Sequence, residues 1–244
     1  MNILPNTTVG EVVKTNFKTA RLFHSSKIDF CCGGTKTISE ACDEAGMETG
    51  LLIKQLETMT LENDPVAEFF DSMAPDQLCD YIVKRHHSYV RNSIGFLLQN
   101  LEKICRVHGA NHPELFEVNR LFTESSGELV MHMQKEELML FPYIRNLVKA
   151  KNENTPAPRA TFGSVANPVE MMISEHLMEG KRFEKIAKLT GNYSVPEDAC
   201  TTYKVTLNEL EDFENDLHQH IHLENNILFP EAIELEKELV RKYS

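Results

Sequence analysis

The sequence predicts an all-α protein, a small N-terminal helical domain followed by an up-down-up-down four-helix bundle. Three observations carry this. Apolar residues recur at three- and four-residue spacing over four long stretches, from Pro75 to Val107, Pro113 to Ala150, Phe162 to Leu189 and Pro196 to Lys242, the period of a helix with one buried face. The separators HGANH, KNENTPAPRA and TGNYSVPED are short and hostile to helix, with Gly191 suited to a C-terminal cap and Pro196 to a helix start. No stretch alternates in the manner of a strand. A helix of about thirty residues runs roughly 45 Å, so four such rods joined by short loops pack side by side.

Residues 1 to about 60 have a different texture. Short apolar runs, VGEVVKTNFKTARLF, ISEACDEAGM and TGLLIKQLETM, are separated by the CCGG turn and by Gly46 and Gly50, which predicts three or four short helices. The stretch ENDPVAEFFDSMAPDQ, with Pro65 and Pro75, reads as a linker. The expected domains are residues 1–65 and 75–244.

A chain of 244 residues with 41% hydrophobic content can bury a real core. Its net charge of −12 argues against nucleic acid and against an anionic membrane, both of which need a basic face. The opening MNILPNTTVGEVVKTNFK lacks the basic and apolar regions of a signal peptide, and no apolar run approaches the eighteen or so residues of a membrane span. The expected location is the cytoplasm. The six cysteines, 31, 32, 42, 79, 105 and 200, are therefore expected to be mostly reduced. Cys79, Cys105 and Cys200 read as small buried apolar residues.

The chemistry lies in an internal repeat. Residues 132–142 read HMQKEELMLFP and residues 220–230 read HIHLENNILFP, so His132 and His220, Glu136 and Glu224, and Pro142 and Pro230 are each 88 positions apart. In a helix, four residues advance about 400° and roughly 6 Å, so each His and its Glu leave one face a turn apart. Ahead of the first copy lies His86 in YIVKRHHSYV, and ahead of the second lies His176 in MMISEHLMEG. The unit is one helix with an inward His, then one helix with His-x-x-x-Glu ending near Phe-Pro. Each proline lacks an amide N–H and predicts a kink or restart, with Phe141 and Phe229 filling core as the plainer role of the phenylalanines.

Burying four imidazoles and two carboxylates in an apolar bundle would cost several kcal/mol per charged group without a partner. A metal offsets that cost. Imidazole with carboxylate suits iron, manganese or zinc, and two carboxylates can bridge two ions a few Å apart. The candidate ligands are His86, His132, Glu136, His176, His220 and Glu224. On the 100° step of an α-helix, His87 points away from the face of His86, and His218 and His222 away from that of His220. His24, His87, His108, His112, His218 and His222 are therefore expected not to be ligands. Glu128, one turn before His132, and Glu175, beside His176, read either as acids lining an approach to the metals or as solvated carboxylates around them.

The His-x-x-x-Glu repeats and the two single histidines resemble the hemerythrin-like bundle. IDFCCGG at residues 28–34, followed by a short helical region, resembles the N-terminal domain of the repair of iron centres (RIC) family, also called ScdA-type di-iron proteins. The resemblance covers nearly the whole chain. It implies a cytoplasmic protein that helps restore iron-sulfur clusters damaged by nitric oxide or peroxide. It also implies two iron ions bridged by an oxo or hydroxo group and by Glu136 and Glu224, with the six residues above as ligands. Where oxygen-carrying hemerythrins have a second His on the third helix, this chain has Gly180, and where they use a final Asp it has Asn225. Four histidines should leave each iron a labile position.

Cys31 and Cys32, followed by two glycines that permit an exposing turn, could approach a partner's cluster, hold iron in transit or cycle between thiol and disulfide. The alternative is a structural turn with one buried thiol. Three functions compete: an iron-donating repair factor for damaged iron-sulfur proteins, a nitric oxide reductase, and a sensor or carrier of oxygen. A homodimer is left open.

Overall fold

The computed structural model describes residues 3–60 and 64–243, and among these all extended elements are helical. Four short helices come first: α1 (Val9–Thr15), α2 (Thr19–Ser25), α3 (Ile38–Ala45) and α4 (Thr49–Met59). Then follow α5 (Pro65–Asp71), α6 (Pro75–Ile82), α7 (Ser88–His108), α8 (Glu114–Lys135), α9 (Phe141–Glu153), α10 (Ala166–Leu189), α11 (Thr201–Leu223) and α12 (Phe229–Tyr243). Single π-helical turns, Val83–His87, Glu136–Leu140 and Glu224–Leu228, join α6 to α7, α8 to α9 and α11 to α12. Four long rods result, in the places the apolar period marks. The expected linker is in part a helix: its Glu62 and Asn63 lie outside the described residues, but Pro65 opens α5 and Pro75 opens α6, each at a first-turn position where the missing N–H costs nothing.

The chain gathers into two compact units. One gathers residues 1–79, 143–167 and 221–244; the other gathers 80–142 and 168–220. In the first, α1 and α3 start with reciprocal caps, Thr8 with Glu11 and Thr37 with Glu40, each side chain satisfying the other's backbone N–H. Val9, Val12, Val13, Phe23, Ile38, Leu52 and Leu56 form its buried centre. Buried polar groups tie the pieces together. Asp64 accepts from the Phe17 amide at 2.8 Å. Glu236 of α12 accepts from the Tyr143 hydroxyl at 2.7 Å, the Ser164 hydroxyl at 2.6 Å and the Val165 amide at 3.0 Å, which fastens the connection after α9 to the last helix.

The same unit holds the CCGG turn. Gly10 donates to the Gly34 carbonyl at 2.8 Å, and a Cβ on Gly10 or Gly34 would come within 2.5 or 2.6 Å of Asn226 Oδ1. These glycines serve close approach, since neither has a positive φ. Asn226 and Asn225 donate to the carbonyls of Phe30 and Cys31 at 3.3 and 3.2 Å.

The second unit is an up-down-up-down set of four helices, α7, α8, α10 and α11. Its centre is aromatic: Phe122 of α8, Phe183 of α10 and Phe213 of α11 have ring centroids 5.3 to 6.4 Å apart, and Tyr89 of α7 lies 6.2 Å from Phe213. The π turns before Pro142 and Pro230 fit the expected restart, because the extra residue relieves the clash of each ring with the preceding turn. Cys79 and Cys105 are buried as expected, whereas Cys200 is exposed. Backbone amides at the start of α11, foremost that of Tyr203, and then the His108 imidazole hold the Cys200 thiol down at about 7.

Burial pushes the Glu214 carboxyl of α11 up to about 7, an effect that Glu211 adds to and the Tyr193 hydroxyl partly offsets; His218 Nε2 lies 4.0 Å away. The folded state therefore keeps a proton that the unfolded chain releases near its usual 4.5, and stability falls as pH rises between those values, by on the order of 2–3 kcal/mol. Glu214→Gln should raise the melting temperature relative to wild type at pH 8 and leave it nearly unchanged at pH 4.5. An equal shift at both values would contradict the assignment.

Candidate metal centre

The second unit concentrates imidazoles and carboxylates at one level of its interior. Ligand atoms of His87, Glu136 and His220 lie within 4.8 Å of one another, and so do those of His132, Glu136 and His176. Glu136 is common to both sets. One of its oxygens lies 3.3 Å from His87 Nε2 and the other 3.2 Å from His132 Nε2, the presentation expected of a carboxylate shared by two ions. His132 and His176 bring their Nε2 atoms to 3.0 Å. Glu224 is fully buried at the start of the π turn that follows α11.

Carboxylates fix the outer edges of these rings. His132 Nδ1 meets Glu175 at 2.8 Å, and Glu175 also pairs with Lys135. His87 Nδ1 meets Glu137 at 2.7 Å, and Glu137 pairs with Arg91 at 2.6 Å. The two arrangements match: ring, carboxylate, cation. An Nδ1–H given to a carboxylate leaves Nε2 with its lone pair turned inward, the state a metal requires. The hydrogen bond from His132, then the pairing with Lys135, holds the Glu175 carboxyl down at about 2. Glu137 is likewise lowered by His87 and Arg91, against burial, which acts to raise it. Inward lone pairs converging on a fully buried carboxylate fit a bound cation, and imidazole with carboxylate suits iron.

Of the residues expected from sequence, His132, Glu136, His176 and His220 are brought together in this unit. His86 is placed differently. Its ring is fully buried and lies parallel to His220 with centroids 5.6 Å apart, but its Nδ1 is held by Asp216 at 3.1 Å, its Nε2 has no hydrogen-bond partner among the described residues, and it stands outside both sets of converging donors. His87, expected to point away, takes the inward place. The reason is the π turn at Val83–His87, where the 100° step of an α-helix does not hold.

Glu128 and Glu175 both line a cavity of about 450 Å³ that reaches His132 and His176. Sequence reasoning missed two further acids of its lining, Glu124 and Glu179; Glu179, one turn beyond His176, is buried, accepts from Ser125 Oγ at 2.6 Å, and has its carboxyl raised by that burial against the pull of Ser125 and Arg182.

The N-terminal thiols form a separate group. Asp29 Oδ1 accepts from the amides of Cys31 and Cys32 at 3.0 and 2.9 Å and from Cys31 Sγ at 3.3 Å; the two sulfurs are 3.8 Å apart. Cys31 is buried and Cys32 half-buried, so the turn exposes one thiol more than the other. The hydrogen bond with Cys32, and then burial, push the Cys31 thiol well above its usual range. The Asp29, Cys31 and Cys32 donors also lie within 4.8 Å of one another.

A helical bundle with buried His and Glu donors held by outer carboxylates defines a metal-binding protein of the hemerythrin type. Residues 80–232 match the family described as Hemerythrin HHE cation binding domain, and residues 5–60 match ScdA_N, described as a domain of unknown function. Among curated proteins, the chain is 30% identical over 228 residues to an iron-sulfur cluster repair protein YtfE of Yersinia pseudotuberculosis serotype IB (strain PB1/+), covering 93% of this chain and 97% of that one. It is 31% identical over 226 residues to the protein of the same name from Enterobacter sp. (strain 638), covering 92% and 96%. The chain belongs to this family of iron-sulfur cluster repair proteins, built from an ScdA_N region and a hemerythrin HHE domain. No helix among the described residues is long and apolar enough to cross a membrane.

His87→Gln should lower the iron bound per chain, and Glu137→Gln, which frees the ring of His87, should weaken iron binding about 10- to 100-fold. His86→Gln should bind close to the wild-type amount. Metal analysis and competition with a chelator check this, and iron lost from the His86 variant but kept by the His87 variant would restore the assignment read from sequence.

Proposed function

We propose that this protein repairs iron-sulfur clusters damaged by nitrosative or oxidative stress, in the cytoplasm, by donating iron from the His/Glu centre. The observation that carries the reading is the donor set itself, in which Glu136 is flanked by two imidazoles whose far nitrogens are fixed by carboxylates. The names of the relatives point the same way. The centre would hold two iron ions sharing Glu136 and Glu224, with His87, His132, His176 and His220 as the remaining ligands and His86 packed behind His220. Bound iron supplies Lewis-acid and one-electron chemistry there.

The residues of the chain do the rest. Glu175 and Glu137 hold imidazoles in the tautomer that binds metal, so any event that draws Glu175 away loosens His132. The cavity lined by Glu128 and Glu175 gives a hydrated cation an acidic path to His132 and His176. At the other site Cys32, the more accessible thiol, would meet the client's damaged cluster, with Cys31 kept protonated behind it. Closing a disulfide would need the sulfurs to move from 3.8 Å to about 2 Å, so the pair is suited to standing as thiols. A second reading, reduction of nitric oxide, is favoured by the same cavity, which has room for diatomic ligands.

Anaerobic mixing of the iron-loaded protein with a nitric-oxide-damaged cluster enzyme, with gas consumption followed in parallel, separates the two. Donation predicts recovery of the client in proportion to iron lost, and a paired Cys31→Ser, Cys32→Ser variant that keeps its iron but repairs slowly. Catalytic loss of the gas without recovery would establish the reductase instead.

A further inference from the structure

Two ion pairs cross the cavity beside His132 and His176, in opposite directions. Lys135, from α8, reaches Glu175 on α10. Arg182, from α10, reaches Glu128 on α8 at 3.0 Å and also pairs with Glu179 on its own helix. All five side chains but Arg182 line the cavity itself. In these pairings three carboxylates and two cations stand around the approach to the two histidines, each acid already engaged, and the cavity's fourth acid, Glu124, is held by Arg120.

The pairs are not equally firm. The Arg182 and Glu179 side chains are only 14% and 5% exposed, so their attraction is weakly screened. Glu128 is 54% exposed, and a pair with such a group is worth about 0–1 kcal/mol. The strap therefore opens first at its Glu128 end, while Glu179 keeps the guanidinium nearby to close it again. Glu175 is bound both to Lys135 and to His132 Nδ1, so a cation that captures Glu175 must displace Lys135 and at the same time release the ring of His132.

We propose that Arg182 and Lys135 form a displaceable cationic latch over the iron centre: a divalent cation entering or leaving takes Glu128, Glu179 and Glu175 from them, and the two side chains set the rate of exchange. This rests on the centre being an iron site and adds how its cargo is retained. The latch holds iron by occupying the acids of the exit path, while the ligands themselves remain unchanged. It also makes iron release responsive to ionic strength, and to any client surface whose acidic groups attract Arg182 outward.

The test uses full-length wild type, Arg182→Gln, Arg182→Lys and Lys135→Gln, each loaded anaerobically with ferrous iron. Iron per chain is measured first, then the half-time of removal by an excess of ferrous chelator at low and high salt. The latch predicts wild-type iron content in the Arg182 variants and release about fivefold faster in Arg182→Gln, equivalent to ~1 kcal/mol at 1.4 kcal/mol per tenfold. Release from Arg182→Lys should be close to wild type, and high salt should speed wild type far more than Arg182→Gln. Lys135→Gln should also release faster, which keeps the test decisive should Arg182→Gln fold poorly. Unchanged or slower release from variants holding full iron would overturn the latch and leave the centre standing; a wild type that binds no iron would overturn the centre, and the latch with it.

Discussion

The structure turns on a carboxylate placed where a carboxylate is expensive. Glu136 is fully buried in a helical interior, between imidazoles on either side. Burying an isolated carboxylate costs many kcal/mol, and the usual escape is to take up a proton or a partner. Here the neighbouring rings have their protons drawn outward by Glu175 and Glu137, so their inner nitrogens bring lone pairs toward Glu136. A bound cation satisfies both kinds of donor at once. The repeat of His and Glu, the outer carboxylates and the cations that pair with those carboxylates all follow from that requirement.

The π turns are the means by which helices meet it. His86 and His87, Glu136 and Glu224 each lie in a π-helical turn, while His176 lies within the regular helix α10. A π turn widens the rod and shifts side-chain direction by part of a turn, which lets a ligand leave the apolar face without tilting the helix. Each of the Glu-bearing turns is followed by Phe-Pro, and the proline makes an unbroken α-helix unfavourable there, so the local sequence selects the irregularity that the site uses.

Much of this was legible in the sequence because it rests on periodicity. The four rods, the separators and the matched 132/136 and 220/224 pairs are visible in the spacing alone, and the long helices stand where the spacing marks them. That His87 rather than His86 comes to face Glu136 was not legible by the same reasoning, since the 100° rule fails inside a π turn. A weaker signal was available: His87 precedes His176 by 89 positions and His86 by 90, so the 88-residue repeat sits closer to His87. Glu137, Asp216, Glu179 and Arg182 could not be picked out, because their roles depend on which helix faces which. The environment of the CCGG thiols depends on tertiary packing in the same way. Its glycines left open an exposing turn or a structural one with a buried thiol; Gly34 lies where a Cβ would meet Asn226, and Cys31 is buried while Cys32 is half-buried.

The most direct measurement of the central claim is a crystal of the iron-replete protein examined by iron anomalous scattering. The account predicts two peaks a few Å apart, one among His87, Glu136 and His220 and the other among His132, Glu136 and His176. No peak at Glu136, or iron bound only at Asp29, Cys31 and Cys32, would contradict it.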